Sequence, residues 1–337
     1  MKSRKDLSLS LTSPQTDFDK TLQRLIIDMM PKSYLEDFSS YQVSIKNTHW
    51  PKSPKIIFSS SAFYEEDLFN MWTAEKKEQG SILITGQHGG NLGVSKIHSN
   101  FDHQIKISDK VFMWGSGYER KKLVSIGNFR IKKNQMNYDK SGHLLLVQNT
   151  EKNQALKCTS SPFSSLWLSY HLQQQEFFGN LIESIQQEAL VRLYSIDESW
   201  FQKERWTNNF QNIKFDNGFK DINKLYKKSR LVVVTSHGTS HVESIHMNIP
   251  TLIFWDESLW EIESTFNSLF DELKAVGIFH ADPLSASNFI NKNWNSIEAW
   301  WRDKKVQNAR LEFMSQLSLS KINITKRMSE ELLRVNK

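Results

Sequence analysis

One cysteine, Cys158, stands in 337 residues. That excludes an intramolecular disulfide framework and any Cys-rich zinc or iron–sulfur site, and it suits a reducing compartment. Long hydrophobic runs are also missing. Apolar stretches such as Leu144–Val147 and Leu231–Val234 fall far below the roughly 18 residues of a membrane-spanning helix. The basic start Met1-Lys-Ser-Arg-Lys-Asp6 is not followed by the apolar segment that a secretory signal needs. Glycine (13) and proline (7) are few and scattered, which leaves no collagen-like or low-complexity tract. Charge of one sign is in small excess: 43 Lys and Arg against 37 Asp and Glu give +6. Its short clusters, Arg120 to Lys122, Arg130 to Lys133 and Lys224 to Arg230, read as solvated faces and not as a nucleic-acid surface. A patch that meets anionic phosphates or an anionic membrane is the other reading.

With 39% hydrophobic and 24% charged residues, the chain reads as a soluble intracellular protein whose length suits two domains. Helical spacing of Leu22, Leu25, Ile26 and Met29 predicts a helix over Phe18 to Met30. A strand over Ile56 to Phe58, a helix over Glu65 to Gln79 and a strand over Ser81 to Thr85 make a βαβ unit. A further strand is expected at Ile105–Ile107 or Lys110–Trp114. The apolar pattern then restarts at His143-Leu-Leu-Leu-Val147, which places a domain boundary near residue 140 and divides the chain into 1–140 and 141–337. In the second part, strands at Leu144–Val147, Ala189–Leu193, Leu231–Val234 and Thr251–Phe254 alternate with helices at Phe177–Gln187, Asp221–Lys228 and Thr239–Met247. Such alternation indicates α/β architecture with parallel sheets covered on both faces. From Asn293 on, the Trp, Phe and Leu spacing suggests C-terminal helices whose Trp300 and Trp301 belong to the core.

Ligands of parallel sheets bind where strands end and helices begin. The first such loop is Thr85-Gly86-Gln87-His88-Gly89-Gly90-Asn91-Leu92-Gly93. Its glycines let backbone N–H groups approach a ligand, and His88 can serve as acid, base or donor near neutral pH. A Gly-rich turn with a satisfied histidine is the plainer alternative. The second is Val234-Thr235-Ser236-His237-Gly238-Thr239-Ser240-His241-Val242-Glu243. Small hydroxyl residues ahead of a helix suit a phosphate, and Glu243 suits ribose hydroxyls; an N-cap with a first-turn acid would look the same. Arg192 at a strand end suits a diphosphate or carboxylate, or a structural role. The aromatic run Phe254-Trp255-Asp256 with Trp260-Glu261 is a candidate wall for a base or sugar. His237, His241 and His246 raise a metal site, but a helix that begins between the first two spoils the His-x-x-x-His geometry.

The chain resembles the LIC-type transferases of surface-polysaccharide, O-antigen-type loci. The matching residues are Tyr34 to Glu36, Phe69, Trp72, Glu75, the Gly86 to Gly93 loop, Asp102 to Asp109, Trp114-Gly115, Leu190 to Tyr194, Glu243, Asn248 to Thr251, Phe254-Trp255, Gly277 to His280, Pro283 and Glu298 to Trp301. The resemblance implies a cytoplasmic GT-B-like glycosyltransferase of two Rossmann-like domains, the second holding a nucleotide-sugar and the first facing the acceptor. It implies a surface glycan or lipid-linked glycan as acceptor, a nonulosonic acid or related sugar as cargo, peripheral membrane association, no nucleic acid and no cofactor or metal. On that analogy His88 and Gln87 are the catalytic candidates. Arg192, Ser236, Gly238, Thr239, Ser240 and Glu243 bind the donor, and Gly89, Gly90, Asn91 and Gly93 supply loop backbone. Two departures stand out. Ser236-His237-Gly238-Thr239-Ser240 replaces the family's Tyr-Asn-Ser-Thr-Thr, and the family's longer N-terminal region implies that the first domain here is incomplete. A nucleotide- or glycan-binding protein without turnover and a His-site metal-dependent hydrolase are the alternatives.

Overall fold

The computed structural model describes residues 4, 16–118, 121–131, 135–154, 158–319 and 323–335. Of the basic clusters, Arg120, Lys132 and Lys133 lie outside them, as does all of the basic start except Arg4. The chain forms two compact units, residues 1–84 and 85–337.

In the first unit, α1 (Asp17–Met29) starts with a capping box in which the Thr16 side chain and the Asp19 carboxylate satisfy each other's backbone N–H groups. Arg4 covers its C-terminal carbonyls, donating to those of Ile27, Asp28 and Met30. Then follow α2 (Phe38–Lys46), β1 (Ile56–Ser59), α3 (Ala62–Glu65) and α4 (Asp67–Glu78). Ile45, Ile57, Phe63, Met71 and Trp72 are buried here. Strand β2 (Ile82–Gly86) crosses the division between units and starts beside β1, with Ile82 N–H on the Lys55 carbonyl at 3.0 Å.

The second unit opens with the end of β2, then α5 (Ser99–Ile107) and the parallel pair β3 (Lys110–Met113) and β4 (Leu123–Ser125). Of the two places offered for a third strand, the second is a strand and Ile105–Ile107 is the last turn of α5. The chain continues through β5 (His143–Val147), α6 (Leu166–Gly179), α7 (Glu183–Glu188), β6 (Leu190–Arg192), α8 (Gln202–Asn209), β7 (Lys214–Asp216), α9 (Ile222–Tyr226), β8 (Ser229–Val234), α10 (Thr239–His246) and β9 (Thr251–Phe254). It closes with α11 (Asn267–Ala275), β10 (Phe279–His280), α12 (Pro283–Asn293), α13 (Ile297–Arg302), α14 (Lys304–Leu317) and α15 (Ile324–Val335). Strands β5 to β10 form one parallel sheet in the order β10-β9-β8-β5-β6-β7. Compactness divides the chain between Ile84 and Thr85, not near residue 140.

The apolar runs of β5 and β8 have a simple cause. Leu145, Val147, Val232 and Val234 enter one core, while Leu144, Leu146, Leu231 and Val233 enter the other. Successive side chains point to opposite faces, so a strand covered on both sides cannot alternate with polar residues. The expected helix over Phe177 to Gln187 is two helices, α6 and α7. Asn291 of α12 holds the break: its side chain accepts from Ile182 N–H at 3.0 Å and donates to the Asn180 carbonyl at 2.8 Å. Among the described residues, no helix is long and apolar enough to cross a membrane.

Candidate functional site

The loop after β2 is fixed from within. Gln104 of α5 reaches the end of that strand, donating to Thr85 Oγ1 at 3.0 Å and to the Gly86 carbonyl at 3.3 Å. Gln87 is fully buried, and both ends of its amide are engaged. Its Nε2 donates to the Gly89 carbonyl at 2.9 Å, and its Oε1 accepts from Trp114 N–H at 2.8 Å. This side chain therefore shapes the loop. His88, the next residue, is half-buried. Gly93 has φ +81°, and a Cβ there would meet Tyr118 Cε1 at 2.6 Å, so the sharp exit needs glycine. Asn91 Nδ2 lies 3.2 Å from His98 Nε2, which ties the loop to the start of α5.

The second loop begins at the carboxyl end of β8, where α10 presents its first N–H groups and the positive end of its dipole. The two loops touch. Gly90 N–H donates to Thr239 Oγ1 at 3.2 Å, and a Cβ on Gly90 would overlap the Gly238 carbonyl oxygen and press on Val242. The chain two residues beyond His88 thus lies against the first turn of the helix that carries Glu243. Ser240 contributes its carbonyl, which accepts from the Tyr226 hydroxyl at 3.3 Å, and Ser236 is buried at the loop's start.

Glu243 has a side chain 15% exposed and accepts from Arg130 Nε at 3.3 Å. Burial pushes its carboxyl above the ordinary value, the Arg130 guanidinium pulls it back, and Asp221 adds to the rise. The structure therefore brings Gly89 and Gly90, just beyond His88 in the chain, against Thr239, four residues ahead of Glu243.

Arg192 is placed differently from the other donor-binding candidates. Its guanidinium donates to Asp216 Oδ1 at 2.5 Å and to the carbonyls of Gly218 and Lys220 at 2.8 and 2.9 Å. Side-chain exposures of 13% for Arg192 and 2% for Asp216 make this a largely buried pair that holds the turn after β7. The three histidines do not converge. His237 Nε2 lies 3.1 Å from the Ser160 carbonyl, which can only accept, so Nε2 carries the proton and the buried Nδ1 is an acceptor with no hydrogen-bond partner. His241 packs against Trp255 and Phe313 with neither ring nitrogen hydrogen-bonded, and His246 Nδ1 meets Ser318 Oγ at 2.8 Å. Burial pulls His237 and His246 down to about 4 and His241 to about 3. Among the described residues, no three His, Cys, Asp or Glu side chains are grouped to hold a metal ion. The hydrolase alternative thereby loses its proposed ligands.

Phe254, Trp255 and Trp260 are buried in the core and offer no open wall to a ligand. An aromatic rim exists elsewhere, in a pocket of about 340 Å³ whose lining includes Tyr194, Ser195, Phe201, Gln202, Asn217 and Phe219. It opens beyond the carboxyl ends of β6 and β7. Phe201 and Phe219 are exposed there, and the loop leading to Phe201 has left-handed Glu198, Ser199 and Phe201. Sequence reasoning missed it because β7, Lys214-Phe-Asp216, is a short edge strand without an apolar run. The signal within reach was the exposed-type cluster Asn217-Gly218-Phe219, which follows β7 as a loop.

No curated protein matches the chain at a significant level. Among solved structures the chain is similar to the wall teichoic acid polymerase TagF, at 10% identity and a TM-score of 0.49 over 94% of this chain and 96% of that one. It is similar also to WaaG, a glycosyltransferase involved in lipopolysaccharide biosynthesis, at 12% identity and a TM-score of 0.45 over 88% and 95%. A third is the spinosyn rhamnosyltransferase SpnG, at 10% identity and a TM-score of 0.45 over 95% and 82%. The sequence matches the model of the LIC12162 family transferases over residues 1–332, and the chain belongs to that family.

Proposed function

We propose that this transferase is a glycosyltransferase that moves a sugar from a nucleotide-sugar to a cell-surface polysaccharide or lipid-linked glycan. One observation carries the reading: the Gly-rich loop bearing His88 is hydrogen-bonded, through Gly90 and Thr239, to the first residue of the helix bearing Glu243. The donor's phosphates lie at the α10 N-terminus, where Ser236, Gly238, Thr239 and Ser240 supply N–H and hydroxyl groups. Glu243 takes the ribose hydroxyls, and the base enters the pocket rimmed by Phe201 and Phe219. His88 accepts the proton of the acceptor hydroxyl as its oxygen bonds to the sugar carbon, while the bond from that carbon to the donor phosphate breaks and the nucleotide leaves as an anion. Gln87 and Arg192 shape the site from behind.

In this reading the nucleotide-sugar is a substrate, and no metal, cofactor or nucleic acid takes part. The place of action is the cytoplasm, at the inner face of the membrane when the acceptor is lipid-linked. The cargo is a nonulosonic acid or a related sugar.

Thermal unfolding of the purified chain with CMP, UDP, GDP and dTDP and their sugar conjugates tests it, because a ligand bound only to the folded state raises the melting temperature. A rise with one nucleotide that Glu243→Ala abolishes supports the donor site. A flat response to all of them overturns it. A rise without sugar transfer to any acceptor would favour a binding protein without turnover.

A further inference from the structure

A cation reaches Glu243 from a distant stretch of chain. Arg130 Nε donates to Glu243 Oε1 at 3.3 Å, and the Arg130 side chain is 51% exposed. The guanidinium therefore reaches the carboxylate from the solvent side. Its loop is anchored by α10 itself. His246, three residues beyond Glu243, meets Ser318 Oγ at 2.8 Å, and that oxygen accepts from Asn128 Nδ2 at 3.0 Å. Asn128 Oδ1 in turn accepts from Arg130 N–H at 3.1 Å. His246, Ser318 and Asn128 are all buried. A closed circuit runs from Glu243 along α10 to His246, across Ser318 to Asn128, and back through Arg130 to Glu243.

We infer that Arg130 is a positioning residue for Glu243: it engages Oε1 and leaves Oε2 to accept the vicinal hydroxyls of the donor ribose. This rests on the donor-site reading above. Among the described residues, three groups bear on the Glu243 carboxyl. Arg130 favours its ionised form, whereas Asp221 at the start of α9 opposes it. The Tyr226 hydroxyl of α9, itself raised by burial and by Glu243, stays neutral. Removing Arg130 leaves burial and Asp221 acting together, so the carboxyl would hold its proton to a higher pH. A protonated carboxyl is a poorer acceptor for two hydroxyls.

Calorimetric titration of the full chain tests the inference. The ligands are the nucleoside diphosphate that stabilises the protein and its 2′,3′-dideoxy counterpart, between about pH 5 and about pH 9. The wild type should prefer the ribose ligand by about tenfold. In Arg130→Gln the pH below which that preference disappears should move up, with recovery at the alkaline end, and Arg130→Lys should behave as the wild type. An Arg130→Gln preference that matches the wild type at every pH overturns the inference and leaves the donor site standing. Equal binding of the two ligands by the wild type overturns the role of Glu243, and with it the reading on which the inference rests. Melting of both variants without ligand shows that they are folded, since Arg130 lies at the surface.

Discussion

The backbone N–H of Gly90 donates to the hydroxyl of Thr239 at 3.2 Å across 149 positions of sequence. No side chain larger than hydrogen fits at Gly90, because its Cβ would overlap the Gly238 carbonyl oxygen. This contact joins the loop after β2 to the start of α10.

Gly90→Ala should separate the two loops at a cost of about 1–3 kcal/mol. Gly89→Ala should cost less, since its Cβ would first meet a side-chain oxygen, that of Asn91, whose shift loosens the contact with His98 but moves no backbone. Urea denaturation of both variants gives the comparison, and equal stabilities would show that the loops do not depend on the contact.

His88→Ala should abolish sugar transfer and leave nucleotide-dependent stabilisation intact. Gln87 is buried with both amide ends bonded, so Gln87→Ala should instead lower stability first. Turnover by the His88 variant at the wild-type rate would remove His88 from the chemistry.

Arg192→Ala should destabilise the chain by about 3 kcal/mol, because it takes the guanidinium from the buried Asp216 carboxylate and from the Gly218 and Lys220 carbonyls at once. Donor affinity measured in the folded fraction should change little. A large loss of affinity with unchanged stability would give Arg192 the ligand-binding role expected from its strand-end position.

Acid should unfold the chain in a defined window. His237, His241 and His246 have ordinary values of 6.5 and are pulled down to about 4, 3 and 4 in the fold. The unfolded chain binds their protons first as pH falls, so the stability they confer is complete above about pH 6.5 and declines below it. Each contributes a slope of up to about 1.4 kcal/mol per pH unit until its folded value is reached. Melting temperatures of the wild type and of His241→Leu, which replaces a buried ring with neither nitrogen hydrogen-bonded, should diverge from pH 7 towards about pH 5. Parallel curves would place the acid sensitivity elsewhere.

How much was legible depended on the range of the interactions involved. Strand β9, Thr251–Phe254, has the predicted bounds, and α10 begins at the predicted Thr239. Local apolar runs, a glycine and small hydroxyl residues specify such elements within a few positions of sequence. The helix predicted over Phe177 to Gln187 failed at Asn180 to Ile182, where the break is held by Asn291, more than a hundred residues away. β7 was illegible because an edge strand of three residues carries no periodic signal.

The same division of range governs the site. By itself the sequence determined the parallel α/β architecture, the two strand-to-helix loops and the position of Glu243 on α10, since burial on two sheet faces and helix initiation are written in neighbouring residues. Only the tertiary structure decided which polar side chains are already spent. Arg192 is committed to Asp216 and Gln87 to Trp114, His241 is enclosed by Trp255 and Phe313, and Arg130 is delivered to Glu243. A hydrogen bond is fixed by both partners, and here the second partner lies between 24 and 113 residues away along the chain for Arg192, Gln87 and Glu243.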